Sequence, residues 1–200
     1  MIQGWRLTGV LSLLLLGMSA YILAAHDWDI EGVRVVIRAT ARTSLLLFVL
    51  AFTASALARM FPGDLTRWQR RNRRYLGVSF AVSHLIHLAA IVSLAEIDRA
   101  LFWTLTNIPT IVLAGTAYVF IAAMAATSFD RSAAWLGPRK WRVLHLLGGW
   151  YIWISFAIAF GKRAPLDGFY WPWTALVLAA GLVRLIAMYS RRTAGSAVRP

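Results

Sequence analysis

Three histidines stand inside long apolar stretches of this chain: His84 and His87 in SHLIHLAA, and His145 in WRVLHLLGGWYIW. Neutral imidazole ligates transition metals, carries protons and hydrogen-bonds between helices, and an ionisable side chain within an apolar span is costly enough to be tied to function. At about 100° per helical residue His84 and His87 stand about 60° apart, on a face shared with Gly77, Ala81 and Leu88. His145 is in line with Gly148 and Gly149, small residues that let a flat, bulky group or another helix approach the backbone closely. One histidine from each of two helices, facing a shared apolar gap, is what axial ligation of a b-type heme requires. The same residues also suit hydrogen bonds between packed helices, or a proton or ion relay weakened by the lack of a mid-span carboxylate. Zinc is a poorer match, because three histidines without a nearby carboxylate or cysteine make a thin ligand set. His26, among the acids of AAHDWDI, is read as a solvated loop residue.

Apolar elements must position these side chains. Of the 200 residues, 60% are hydrophobic and 14% charged, and the apolar ones gather in runs near the ~20 residues that a ~30 Å hydrocarbon layer requires. Six runs, at about 7–25, 43–60, 76–95, 104–127, 142–160 and 171–189, are each long enough for a helix that satisfies its own backbone polar groups in lipid. The prediction is an all-α integral membrane protein, a single transmembrane domain over 1–200 folded as a six-helix bundle. The first run resembles the start of a signal peptide, but its length and a weak cleavage match favour a retained helix.

The net charge of +13, from 21 Lys and Arg against 8 Asp and Glu, would suggest nucleic acid in a soluble chain. Here the bases lie between the spans, so orientation explains them and no nucleic-acid partner is expected. With the N-terminus in the cytoplasm, fifteen bases fall on the inner side. Six fall outside (Arg34, Arg38, Arg42, Arg99, Lys162 and Arg163), with six of the eight acids. The excess of inner positive charge then places both termini in the cytoplasm. The absence of cysteine excludes disulfides, thiolate-held iron–sulfur clusters and covalently attached c-type heme. No strand pattern and no glycine-rich phosphate loop occurs, so no flavin or NAD(P)H domain is expected, and flavin or quinone has no visible binding motif.

Arg34, Arg38 and Arg42 recur at i, i+4, i+8, either as an interfacial helix face or, at Arg42, as a partner for a heme propionate. Arg184, late in the sixth run, is expected to snorkel to the inner interface. The basic segment ARMFPGDLTRWQRRNRRYLG breaks at Pro62-Gly63 and is read as a lipid-facing inner loop, and residues 190–200 as a short cytoplasmic tail.

The run RRYLGVSFAVSHLIHL resembles the third helix of the ferric-reductase-like transmembrane domain family. The likeness is strongest to its bacterial branch, which contains the heme-binding membrane subunit of the periplasmic methionine-sulfoxide reductase system. That helix carries a basic pair, a Leu-Gly and a heme-ligating histidine ten residues after the glycine, which leads from Gly77 to His87. ARTSLLLFVLAFTASALAR is similar to the family's second helix, and LGPRKWRVLHLLGGWYIW to the Gly-x-x-Trp-x-x-Leu-His opening of the fifth, with one more residue between Gly137 and Trp141. The likeness covers roughly residues 35–190. It implies a bacterial inner-membrane bundle that moves electrons through heme b held between the third and fifth helices. His87 and His145 would be the ligands, and His84 an alternative ligand or a neighbour of the heme edge. Many members carry a further histidine about thirteen residues beyond the ligand of the fifth helix, where this chain has Ile158 and Ala159. One heme is therefore expected.

These readings converge on a b-type membrane cytochrome. Electrons would enter from quinol or a cytoplasmic flavin reductase and leave to a redox partner protein or an outer acceptor. A non-heme scaffold or assembly subunit, or a histidine-based proton path, is the alternative. Depth is a strain on the implied ligand pair. His87 lies thirteen residues past Arg74, ~20 Å along a helix, whereas His145 lies three past Arg142, ~5 Å. The conflict eases if the third helix begins well inside the cytoplasm and tilts by ~20°.

Overall fold

The computed structural model describes residues 1–196 and contains no strand among them. In chain order the helices are α1 (Trp5–Ala25), α2 (Ile30–Met60), α3 (Asp64–Ile97), α4 (Arg99–Leu105), α5 (Ile108–Ala126), α6 (Asp130–Leu136), α7 (Pro138–Gly161) and α8 (Trp171–Ser196), with a 3-10 turn at Gly168–Tyr170. Six segments, in α1, α2, α3, α5, α7 and Gly168–Ser190, are long and apolar enough to cross a membrane. The protein is an all-helical, multi-pass membrane protein.

Two helices run well past the apolar runs. α2 starts at Ile30 rather than near 43, because Asp29 caps it through Gly32 N at 2.7 Å and Glu31 holds both Arg34 (2.7 Å) and Arg38 (2.6 Å) along its surface. α3 starts at Asp64 rather than near 76, so the basic loop shrinks to Phe61–Gly63. There Thr66 Oγ1 donates to Phe61 O at 2.7 Å and accepts from Gly63 N at 3.0 Å, while Gln69 and Asn72 are buried against neighbouring helices. Hydropathy registers only the most apolar part of a helix, and caps with continuous backbone hydrogen bonding extend both elements through the more polar turns beside it. The fourth run divides, since Asn107 caps α5 through Thr110 N at 2.9 Å and separates it from α4. The tail expected at 190–200 begins as helix, because α8 continues to Ser196; residues 197–200 lie outside the described residues.

The α2–α3 pair forms the centre. Thr40, Ser44, Ser79 and Ser83 are fully buried, and their small side chains bring the backbones close. Ser44 Oγ donates to Ser83 Oγ at 2.9 Å, and Thr43 Oγ1 lies 3.0 Å from the same oxygen. Beside this seam Phe48, Phe52, Phe80 and Phe156 pack ring to ring, with Phe48 centroids 4.9, 5.5 and 5.4 Å from the other three. The first run is a packed helix: Gly4 N donates to Asn72 Oδ1 at 3.0 Å and Thr8 Oγ1 to Tyr75 O at 3.3 Å.

One end of the bundle gathers the N-terminus, the α2–α3 turn, the α5–α6 turn and the last turns of α8. Trp5 stacks on Phe129 at 5.2 Å, Arg74 pairs with Asp130 at 2.7 Å, and Arg59 Nη1 donates to Ala187 O at 2.9 Å. This is the terminus end; the α1–α2 turn, α4 and residues 162–170 occupy the other. Arg184 does not reach toward headgroups as expected. Its Nη1 donates to Phe52 O at 2.9 Å and its guanidinium lies 4.3 Å over the Phe52 ring, so a carbonyl and an aromatic face of α2 satisfy it within the bundle.

Candidate functional site

A cavity of about 550 Å³ opens between α2, α3, α4, α5 and α7, away from the terminus end. Its size falls in the ~300–1,000 Å³ range of small-molecule sites. His84, His87, Tyr118, Ile152 and Phe156 line it in depth, Leu113, Ala117 and Ala159 form apolar walls, and Arg34, Arg38, Arg42, Lys162 and Arg163 stand at its mouth.

His87 is oriented from α2. Its Nδ1 lies 3.0 Å from Ile37 O and 3.0 Å from Thr40 Oγ1. A carbonyl only accepts, and the Thr40 proton is already given to Val36 O at 2.6 Å, so both contacts require the proton on Nδ1. Nε2 is left with its lone pair. A carbonyl holding the distal N–H is the usual companion of a metal-ligating imidazole.

His84 lies among the rings of Phe80 (5.3 Å), His87 (5.2 Å), Tyr118 (4.9 Å) and Phe156 (5.9 Å). Its Nδ1 is buried and has no hydrogen-bond partner. Burying a polar atom without a partner carries a cost of roughly 1–3 kcal/mol, which a ligand in the cavity would relieve. The two imidazoles stack at 28° on one wall, as their spacing predicts.

His145, Gly148 and Gly149 are not brought to this cavity. The His145 ring stacks on Trp141 at 4.1 Å, and its Nε2 lies 3.3 Å from Thr127 Oγ1. That hydroxyl donates to Ala123 O at 2.7 Å, so it accepts from Nε2–H. Phe156 of α7 is level with His84, and His145 lies eleven residues earlier on α7, ~16 Å toward the terminus end. Two imidazoles on one iron stand only about 4 Å apart, given metal–imidazole bonds of ~2 Å. The two glycines serve helix contacts: a Cβ at Gly148 would meet Met124 Sδ at 2.5 Å, and one at Gly149 the Phe52 ring at 3.5 Å. Arg42 does line the cavity, with its guanidinium 4.5 Å over the Phe169 ring. His26 sits in the α1–α2 turn, as expected for a loop residue.

The sequence does not single out Thr40, the Ile37 carbonyl or Tyr118, and it marks Lys162 and Arg163 only as outer bases. The small-polar spacing of Thr40, Thr43 and Ser44 was the available signal for a close helix contact. Among the described residues no group of three or more His, Cys, Asp or Glu side chains converges to hold a bare ion.

Six helices able to cross a membrane, four of which line a histidine-bearing cavity of small-molecule size, define a polytopic membrane protein with an internal site. The model of the ferric reductase like transmembrane component family matches residues 38–156, more than half of the chain, and the chain belongs to that family. The match runs from α2 into α7 and takes in all three histidines of the apolar spans. Membership points to electron transfer at a membrane. No curated protein and no solved structure matches the chain significantly.

Proposed function

We propose that the protein is a b-type heme carrier of electrons in a bacterial inner membrane, with both termini in the cytoplasm. It would accept electrons from quinol or a cytoplasmic flavin reductase and deliver them to a partner protein or acceptor outside. Within the family we place it in the branch resembling the heme-binding membrane subunit of the periplasmic methionine-sulfoxide reductase system.

The observation that carries this reading is the free Nε2 of His87 at the wall of a large apolar cavity, with Nδ1–H held by Ile37 O at 3.0 Å. The donor set fits heme: a directed imidazole, a second imidazole with an orphaned nitrogen, apolar walls and a cationic mouth. When bound, heme supplies one-electron chemistry that no side chain here provides. The chain's own contributions are positional. Ile37 and Thr40 of α2 hold the His87 proton on Nδ1, and α5 and α7 supply apolar walls around the imidazoles. His87 would be the principal ligand and His84 its neighbour, while ligation by His145, which the family motif implies, would need α7 to slide along α3. The test is the dithionite-reduced absorption spectrum of the purified chain. A b-type spectrum is expected; a folded but colourless protein would instead support a non-heme scaffold.

A further inference from the structure

We propose that the mouth of the cavity is a carboxylate-recognition site, formed by Lys162 and Arg163 at the exit of α7 and by Arg34 and Arg38 facing them from α2. Orientation by inner positive charge should leave this end of the bundle poor in bases. Yet five of its six, Arg34, Arg38, Arg42, Lys162 and Arg163, line one cavity, and no carboxylate lines it with them. The acids are not absent from this end: Asp27, Asp29, Glu31, Glu96, Asp98 and Asp167 are all there. Only Glu31 engages any of the five bases, pairing with Arg34 at 2.7 Å and Arg38 at 2.6 Å. A guanidinium carries five N–H donors, so each arginine keeps most of its donors after that pair, and Glu31 fixes the two side by side. Lys162 and Arg163 are exposed and have no ion-pair partner among the described residues.

Five bases against the single carboxylate of Glu31, gathered over a low-dielectric cavity, concentrate a positive potential there. Guanidinium forks and an ammonium are matched by carboxylates. The apolar walls and the unpartnered Nδ1 of His84 below define the rest of the ligand: a largely apolar body whose acidic groups stay at the surface. Two sources share that chemistry. One is the pair of propionates on a heme seated in the cavity, in which case the inference rests on the heme reading. The other is a carboxylate-bearing electron acceptor arriving at the mouth from outside.

The test uses the full-length chain from heme-starved cells and metal-free protoporphyrin IX, which needs no iron ligand, with its dimethyl ester as the neutral comparison. The free acid should bind about tenfold more tightly than the ester, the factor carried by one charge-assisted hydrogen bond. Lys162→Gln with Arg163→Gln should remove that preference, and Lys162→Arg with Arg163→Lys should keep it, which separates lost charge from lost folding. A second arm follows reoxidation of the reduced, heme-loaded protein by ferric EDTA and by hexaammineruthenium(III). If the glutamine pair slows only the anionic acceptor, and the ester binds like the acid, the site serves the acceptor. Equal binding of acid and ester together with unchanged reoxidation overturns the proposal. An acid preference in a chain that never shows a b-type spectrum would sink the heme reading and leave the carboxylate site standing.

Discussion

His87 Nδ1 and the Ile37 carbonyl oxygen lie 3.0 Å apart, so a residue of α2 decides which nitrogen of an α3 imidazole is free. Thr40 Oγ1 shares that proton at 3.0 Å. Thr40→Val keeps the shape of the seam and the Ile37 contact but removes the second acceptor. Heme affinity should fall about tenfold, the lower end of what losing such a hydrogen bond costs. The heme potential should move upward, because a less polarised imidazole is a weaker donor to ferric iron. Potentiometric and heme titrations check both; no change in either would show that Thr40 only packs.

Histidine replacements separate the geometric from the motif-based assignment. His87→Ala should lose stoichiometric heme, while His84→Ala and His145→Ala should retain it, His84→Ala with a shifted potential. Pyridine hemochrome assays of the folded variants decide. Loss of heme in His145→Ala would mean that α7 and α3 adopt another register when loaded, restoring the pair implied by the family motif.

Glycine contacts give a stability prediction. A Cβ at Gly181 would come within 2.5 Å of Trp153 Cζ2, and that indole is pinned by its Nε1 donating to Val177 O at 2.8 Å. Gly181→Ala should therefore destabilise by ~1–3 kcal/mol. Gly148→Ala meets Met124 Sδ at the same 2.5 Å and Phe120 Cδ1 at 3.1 Å, but a thioether can turn aside, so its loss should be smaller. Denaturation of both variants in mixed micelles should show this order.

Topology is checked with reporter fusions. Alkaline phosphatase fused after Pro200 should be inactive and after Asp98 active, because the terminus end carries the larger share of positive charge. The reverse pattern would invert the proposed direction of electron flow.

The purified chain should not oxidise NADPH unaided, since it shows no nucleotide-binding motif. Stopped-flow mixing with NADPH should leave the heme oxidised until a flavin reductase is added. Rapid reduction without one would contradict this.

Composition along the chain was enough for the solvent, the six spans and the bias of charge between the two ends, because transfer into lipid acts on each segment separately. Local helical period likewise set His84 and His87 on one face, and the structure keeps them there at 5.2 Å. The helix starts were less legible: α2 and α3 begin well before their apolar runs, through caps and charge pairs that hydropathy does not register. What tertiary structure alone decided is depth and partnership between helices. Counting from flanking charges already strained the His87–His145 pairing, and an early start to α3 was the escape. α3 does start early, at Asp64, yet the Phe156–His84 contact at 5.9 Å still sets His145 ~16 Å away, since the level of one helix against another follows from side-chain packing across their seam. The tautomer of His87 and the grouping of Arg34, Arg38, Lys162 and Arg163 arise in the same way, from residues more than forty or a hundred positions apart that meet only when the helices pack.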